Sequence, residues 1–302
     1  MQTALKHEIT LIGAPCDAGA GLAGTRGGPQ ALRDSGLLQA LQAVGRAVRD
    51  GGDVHGPLPS DDAPRDGYRH LAEVAAWNRS VQAAVAATLV RGELPLLAGG
   101  DHSLSIGSIS AVAAHCRAQQ RPLHVFWFDA HADCNSRRTS PSANLHGMPL
   151  ACLCGTGPST LTALAGGGPA LQGHQVHVLG VRSVDPGEAA LVEQLGLRLL
   201  DMVTLRRVGP AQALASALAS IEPGAHLHVS LDVDVLDPSL APGTGTAVSG
   251  GATQEEARLW MKLLAATGRV GSVDFMELDP GRDRGRRTAH HAVSLLATLL
   301  AA

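Results

Sequence analysis

Val125-Phe126-Trp127-Phe128-Asp129-Ala130-His131-Ala132-Asp133 passes from an unbroken apolar run into three potential metal ligands spaced two residues apart. The apolar part reads as a strand buried on both faces, as in a parallel sheet covered by helices. Side chains alternate along a strand, so Asp129, His131 and Asp133 would project the same way if the extended conformation continued. Adjacent carboxylates without a cation would cost several kcal/mol in repulsion and desolvation. A metal explains the pattern; taken alone, so does a polar strand end running into a loop. Partners elsewhere in the chain decide between the two.

Working outward, the same rhythm recurs on both sides. Strands are expected at about residues 8–13, 46–50, 94–98, 176–180, 197–200, 226–231 and 270–276. Helices are expected at about 29–41, 68–90, 103–118, after Pro186, and at 209–221, 253–267 and from 288 onward. Pro29 suits a first helical turn, where its missing N–H is not needed. Gly51 and Gly52 are read as the end of the second strand. With the opening strand this makes about eight strands alternating with helices, a three-layer α/β/α sandwich around a mainly parallel sheet. No linker or composition break divides residues 1–302, which read as a single domain.

Composition narrows the function. A formal net charge of -3 gives no electrostatic case for a nucleic-acid partner. The five cysteines are an odd number without a CxxC pair, which argues against a disulfide framework. The first residues lack the basic and apolar regions of a signal peptide, and no apolar run approaches the ~18 residues of a membrane span. A cytoplasmic protein is expected.

In such sheets functional groups gather beyond the carboxyl ends of the strands. Gly99-Gly100-Asp101-His102-Ser103 follows one apolar run, and Asp232-Val233-Asp234 follows another. His102, Asp129, His131, Asp133, Asp232 and Asp234 then supply two imidazoles and four carboxylates. That is more negative charge than one divalent ion needs, and it suits two metals bridged by carboxylates and a solvent oxygen. Oxygen-rich, thiol-free ligation favours Mn²⁺ or a similar hard ion over structural zinc. Cys134 follows directly, but alternation points it away.

These three segments, the last extended as Ser230-Leu231-Asp232-Val233-Asp234-Val235-Leu236-Asp237-Pro238, resemble the metal-binding signatures of the arginase/ureohydrolase family. The resemblance implies that family's eight-stranded α/β/α fold. It implies two Mn²⁺ per subunit, one on His102, Asp129, Asp133 and Asp232, the other on Asp129, His131, Asp232 and Asp234. It implies hydrolysis of a guanidino group with release of urea, a metal-bridging hydroxide being the nucleophile. Glu277, in Asp274-Phe275-Met276-Glu277-Leu278-Asp279-Pro280, matches the glutamate that hydrogen-bonds the guanidinium. His146 matches a proton-shuttling histidine, and Asp133 is counted with these two as catalytic. Thr246 matches a substrate-side hydroxyl. A homotrimer or homohexamer is also implied.

Two further segments resemble devices for free L-arginine, which would give L-ornithine. Asn135, Ser142 and Asn144 match the loop that holds the α-carboxylate. Asp185 matches an aspartate facing the α-amino group, although it would equally cap the helix that Pro186 opens. Ala143 replaces a usual glycine, Ser183 a common acidic residue and Asp279 a usual asparagine. Arg137 and Arg138 add charge to the loop. Agmatinase, guanidinobutyrase or formimidoylglutamase activity stays open beside arginine hydrolysis.

Gly19-Ala20-Gly21-Leu22-Ala23-Gly24 satisfies GxGxxG, but it lies several residues past its strand and ends before Pro29. A glycine-rich loop at the site rim fits better than dinucleotide binding. The rivals from other classes are a metal-binding protein without catalysis and a nicotinamide-dependent oxidoreductase. His226, His228, His290 and His291 are read as packed or exposed residues, not ligands.

Overall fold

The computed structural model describes residues 7–58 and 63–301; residues 1–6, where no signal peptide is expected, residues 59–62 and residue 302 lie outside the described residues. The strands are β1 (Ile9–Ala14), β2 (Val48–Asp53), β3 (Leu94–Gly99), β4 (Leu123–Phe128), β5 (Val176–Val181), β6 (Arg198–Asp201), β7 (His226–Asp232) and β8 (Val270–Met276). They form one 8-stranded sheet in the order β2-β1-β3-β8-β7-β4-β5-β6. Every neighbouring pair is parallel.

Period-two alternation sends the apolar strands into two cores. Phe126 and Phe128 pack on one face with the helices Leu37–Ala43, Gln254–Ala266 and Arg287–Leu299. Val125 and Trp127 pack on the other with the helices Leu71–Val90 and Ser105–Ala118. All four of these β4 residues have no exposed surface. Burying such a side chain contributes roughly 1.5–3 kcal/mol, which holds the strand rigidly under whatever follows it. No helix among the described residues is long and apolar enough to cross a membrane.

Three local expectations are corrected. The helix expected at 29–41 is two helices, Gly28–Asp34 and Leu37–Ala43, separated at Gly36, whose φ of 83° the α-helix cannot use. β2 does not stop before Gly51 but runs to Asp53, because pairing with β1 carries this edge strand through both glycines, with a register shift. The helix Met202–Val208 was not anticipated; Asp201 caps it by accepting from Thr204 N at 2.6 Å.

Candidate metal centre and substrate cleft

Four neighbouring strands at the middle of the sheet, β3, β8, β7 and β4, carry His102, Glu277, Asp232 with Asp234, and Asp129 with His131 and Asp133 at or just beyond their carboxyl ends. Parallel pairing brings these ends together, so residues far apart in sequence meet. The expected continuation of β4 holds only in part: the strand ends at Phe128, with one further isolated parallel bridge between His131 and Ser183. Asp129 Oδ1 accepts from His131 N at 2.7 Å, a side-chain-to-backbone turn that curls the chain, and Asp133 has a left-handed φ of 47°. Asp129 and His131 thus keep pairing beside β5, and Asp133 joins them through its left-handed turn. Cys134 is buried in the apolar core and belongs to neither metal-type cluster among the described residues.

His102 Nδ1 lies 3.0 Å from Asp232 Oδ2, 3.1 Å from Asp129 Oδ2 and 3.3 Å from Asp133 Oδ2. His131 Nδ1 lies 3.1 Å from Asp234 Oδ2 and 3.4 Å from Asp129 Oδ1. Asp129 therefore offers one oxygen to each side. Two potential metal-binding sets result, His102–Asp129–Asp133 and Asp129–His131–Asp234. Asp232 joins the first through Oδ2, while its Oδ1 accepts from Asp234 N at 2.8 Å. One N–H cannot serve three carboxylates. Donor spacings of 3.0–3.4 Å instead match the ~3 Å edge of an octahedron with bonds of about 2.1 Å. A pair of hard divalent cations fits these residues.

Protonation shows the same mismatch. Burial opposes charge on His131, but the Asp129 and Asp234 side chains outweigh it and push the ring up to about 12. Burial, then Asp129, raises the Asp133 carboxyl well above its usual range; burial, then Asp234, does so for Asp232. Asp129 moves the other way, since hydrogen bonds from His102 and His131 overcome its burial. In the metal-free protein these directions favour protons on groups that cations could otherwise hold.

Residues that sequence reading missed hold the floor in place. The Trp127 ring stacks on His102, centroids 3.9 Å apart, and its Nε1 donates to Asp129 Oδ2 at 2.9 Å. Ser230 Oγ lies 2.9 Å from His102 Nε2, which fixes the ring with Nδ1 toward the carboxylates. The signal was available: Ser230 sits two residues before Asp232 on the same strand face. Arg182 donates to the Asp234 carbonyl at 2.6 Å and to Val248 O at 2.8 Å, bracing the Asp234 turn.

Glu277 Oε1 accepts from His102 N at 2.9 Å and lies 3.0 Å from His146 Nδ1. Its φ of 64° is left-handed, backbone strain of the kind stored at functional sites. Burial works against charge on His146, but Glu277 raises its pKa above the ordinary imidazole value. Thr246 Oγ1 donates to Asp234 Oδ2 at 2.9 Å, so this hydroxyl supports a cluster carboxylate.

The cleft above the floor is lined by His131, Asp133, Asn135, Ser142, Asn144, His146, Ser183, Asp185, Glu188, Asp232, Thr246 and Glu277, among others. Among the described residues it contains five carboxylates and no Lys or Arg. Asp185 stands both at the start of a helix and on the cleft wall. It starts the helix Pro186–Leu195, its N–H donating to Glu188 Oε2 at 3.1 Å, and its Oδ2 accepts from Asn135 Nδ2 at 3.0 Å inside the cleft. Glu188, also missed, accepts from Cys134 N at 2.8 Å and ties this helix to the metal loop. The amide oxygens of Asn135 and Asn144 are buried without a partner, which leaves polar capacity for a ligand. Arg137 and Arg138 are exposed and line a neighbouring hollow, not this cleft. The 19–24 glycine loop packs at the rim, a Cβ at Gly21 falling 2.6 Å from Asn144 Nδ2.

Comparison with known proteins agrees with this architecture. The sequence pattern of the Arginase family matches residues 7–302. The arginase of Bacillus caldovelox is 38% identical over 298 residues, 96% of this chain and 97% of the relative. Its native crystal structure at pH 5.6 superposes with a TM-score of 0.92 at 37% identity, covering 98% of this chain and 99% of that one. The Entamoeba histolytica arginase, solved with L-ornithine, gives 0.89 at 28% identity over 97% and 98%. An all-parallel α/β fold with two metal-type clusters at its central strand ends defines the class. The chain belongs to the arginase family and is a ureohydrolase.

Proposed function

We propose that this ureohydrolase converts L-arginine to L-ornithine and urea with two Mn²⁺ per subunit. The observation that carries the reading is the charge of the cleft: beyond the metal-side Asp133 and Asp232 it is lined, among the described residues, by Asp185, Glu188 and Glu277, with no Lys or Arg, and by neutral donors near one end. Such a cleft takes a ligand cationic at both ends. A guanidinium meets Glu277 at the floor, and an ammonium meets Asp185 at the rim. The α-carboxylate meets uncharged Asn135, Ser142 and Asn144. The name arginase carried by full-length relatives at 34–38% identity supports the same substrate.

His102, Asp129, Asp133 and Asp232 would hold one ion, and Asp129, His131, Asp232 and Asp234 the other. When bound, the ions supply the positive charge that makes a water nucleophilic near neutral pH. Glu277 Oε1 is engaged with His102 N and His146, which leaves Oε2 to orient the guanidinium. That same contact turns His146 so that its other ring nitrogen delivers a proton to the departing amine. Thr246 keeps Asp234 in register. Assembly as a homotrimer or homohexamer accompanies this reading and is checked by light scattering. The functional test is urea release after Mn²⁺ loading from L-arginine, agmatine, 4-guanidinobutyrate and formimidoylglutamate, the last scored by its own product. Arginine should turn over fastest; faster agmatine turnover would overturn the substrate.

A further inference from the structure

A short turn lies over the outer edge of the substrate loop. Arg65 and Tyr68 exchange backbone hydrogen bonds at 2.9 Å in both directions, closing on Asp66 and Gly67, which have φ of 52° and 80°. Positive φ at both central positions is the tight hairpin geometry. The tip rests on the loop: a Cβ at Gly67 would fall 2.8 Å from the Cβ of Arg137. The next residue, Arg69, grips it twice. Its backbone N–H donates to Ala143 O at 2.9 Å, and its Nε donates to Ser142 O at 3.2 Å.

The gripped turn is a strained one. Ala143 has a left-handed φ of 62°, which a residue with a Cβ keeps only when its surroundings impose it. From inside, Ser140 Oγ accepts from Ala143 N at 3.0 Å and Ser142 Oγ from Asn144 N at 3.3 Å. From outside, Arg69 holds the carbonyls of Ser142 and Ala143 in the same turn. Ser142 and Asn144 line the cleft, whereas Arg69 does not. Where their side chains point depends on the shape of this turn.

We infer that Arg69 is a positioning residue for substrate selection, setting the Ser142–Ala143–Asn144 turn that receives the carboxylate end of an amino-acid substrate. The inference rests on the proposed arginine reading. Its specific consequence is that Arg69 matters for ligands that carry the carboxylate and not for those that lack it. The chemistry at the floor is untouched.

The experiment compares Mn²⁺-loaded wild type, Arg69→Ala and Arg69→Lys. It measures kcat and KM for L-arginine and the competitive inhibition constant of agmatine, which lacks the carboxylate. Arg69→Ala should raise KM about fivefold, which is about 1 kcal/mol at 1.4 kcal/mol per tenfold. Its kcat should stay within about twofold, as a purely binding effect does. Agmatine inhibition should not change, and Arg69→Lys should recover most of the loss by reaching the Ser142 carbonyl. An unchanged KM, a fall in kcat at constant KM, or an equal weakening of agmatine would overturn the inference. Failure of wild type to release urea from L-arginine would strike the substrate reading itself, before any variant is made.

Discussion

At the carboxyl ends of the central strands His131 sits between Asp129 and Asp234, while at the amino ends of the same sheet His177 and His226 have histidine and arginine neighbours instead of carboxylates. His177 and His226 are buried and His131 is partly exposed, and burial opposes the charged ring in each. At the first end the carboxylates win and His131 is pushed up to about 12. At the second, burial is reinforced by His124 beside His177 and by Arg121 beside His226, and both fall to about 3. His177 stacks on Phe126, centroids 4.8 Å apart, and His226 Nε2 lies 2.8 Å from Ser272 Oγ. The residue type is shared; the carboxylates make one end a cation site and leave the other as packing.

Removing the shared carboxylate should have the largest effect. Asp129→Ala should lose bound metal and urea release together, by more than the roughly 10–100-fold typical of an outer support; metal analysis beside a urea assay checks it. His146→Ala should keep its metal and slow kcat by about 10²–10⁴-fold, the range of a proton-transfer group. Ser230→Ala frees the far nitrogen of His102 and should weaken metal affinity about tenfold, measured by calorimetric Mn²⁺ titration.

The opposite titrations give the two smaller predictions. His131 has a folded pKa of about 12 against an ordinary 6.5. Its ion pairs therefore stabilise the metal-free protein fully below 6.5, and that contribution fades as pH rises toward 12. Asp133 and Asp232, also raised, hold protons in the same sense. Cations must displace these protons, so the rise in melting temperature on adding Mn²⁺ should be larger at about pH 8 than at about pH 6. His177, with a folded value of about 3 against 6.5, works in reverse. Its neutral packing is fully stabilising above 6.5 and is lost as pH falls toward 3, by up to about 1.4 kcal/mol per pH unit. His177→Phe should cost about 1 kcal/mol at neutral pH through His124's lost partner. It should lose less stability than wild type on acidification, with urea release unchanged; denaturant unfolding at two pH values reads this.

The legible parts of the molecule were those where one physical rule dominated. Val125 to Phe128 could only be a strand buried on both faces, and the rule that parallel sheets gather chemistry at their carboxyl ends found His102, Asp232 and Asp234. What escaped depended on neighbours that sequence spacing does not contain. Gly36 splits one helix through its own φ, whereas Gly51 and Gly52 fail to stop β2 because β1 pairs with them. Asp133 reaches the cluster through a left-handed turn, not through alternation. Trp127 looked like core and is core, yet its indole N–H also fixes Asp129. Glu188 looked like a helix residue and proved to join that helix to the metal loop through Cys134 N.

On the proposed function the carboxyl end holds a two-metal centre, with Asp129 shared, that acts on arginine. It is tested most directly by titrating metal-free protein with Mn²⁺ while following urea release from L-arginine. Release should climb to a plateau near two equivalents per chain. A plateau at one equivalent, or no urea at saturating metal, would contradict it.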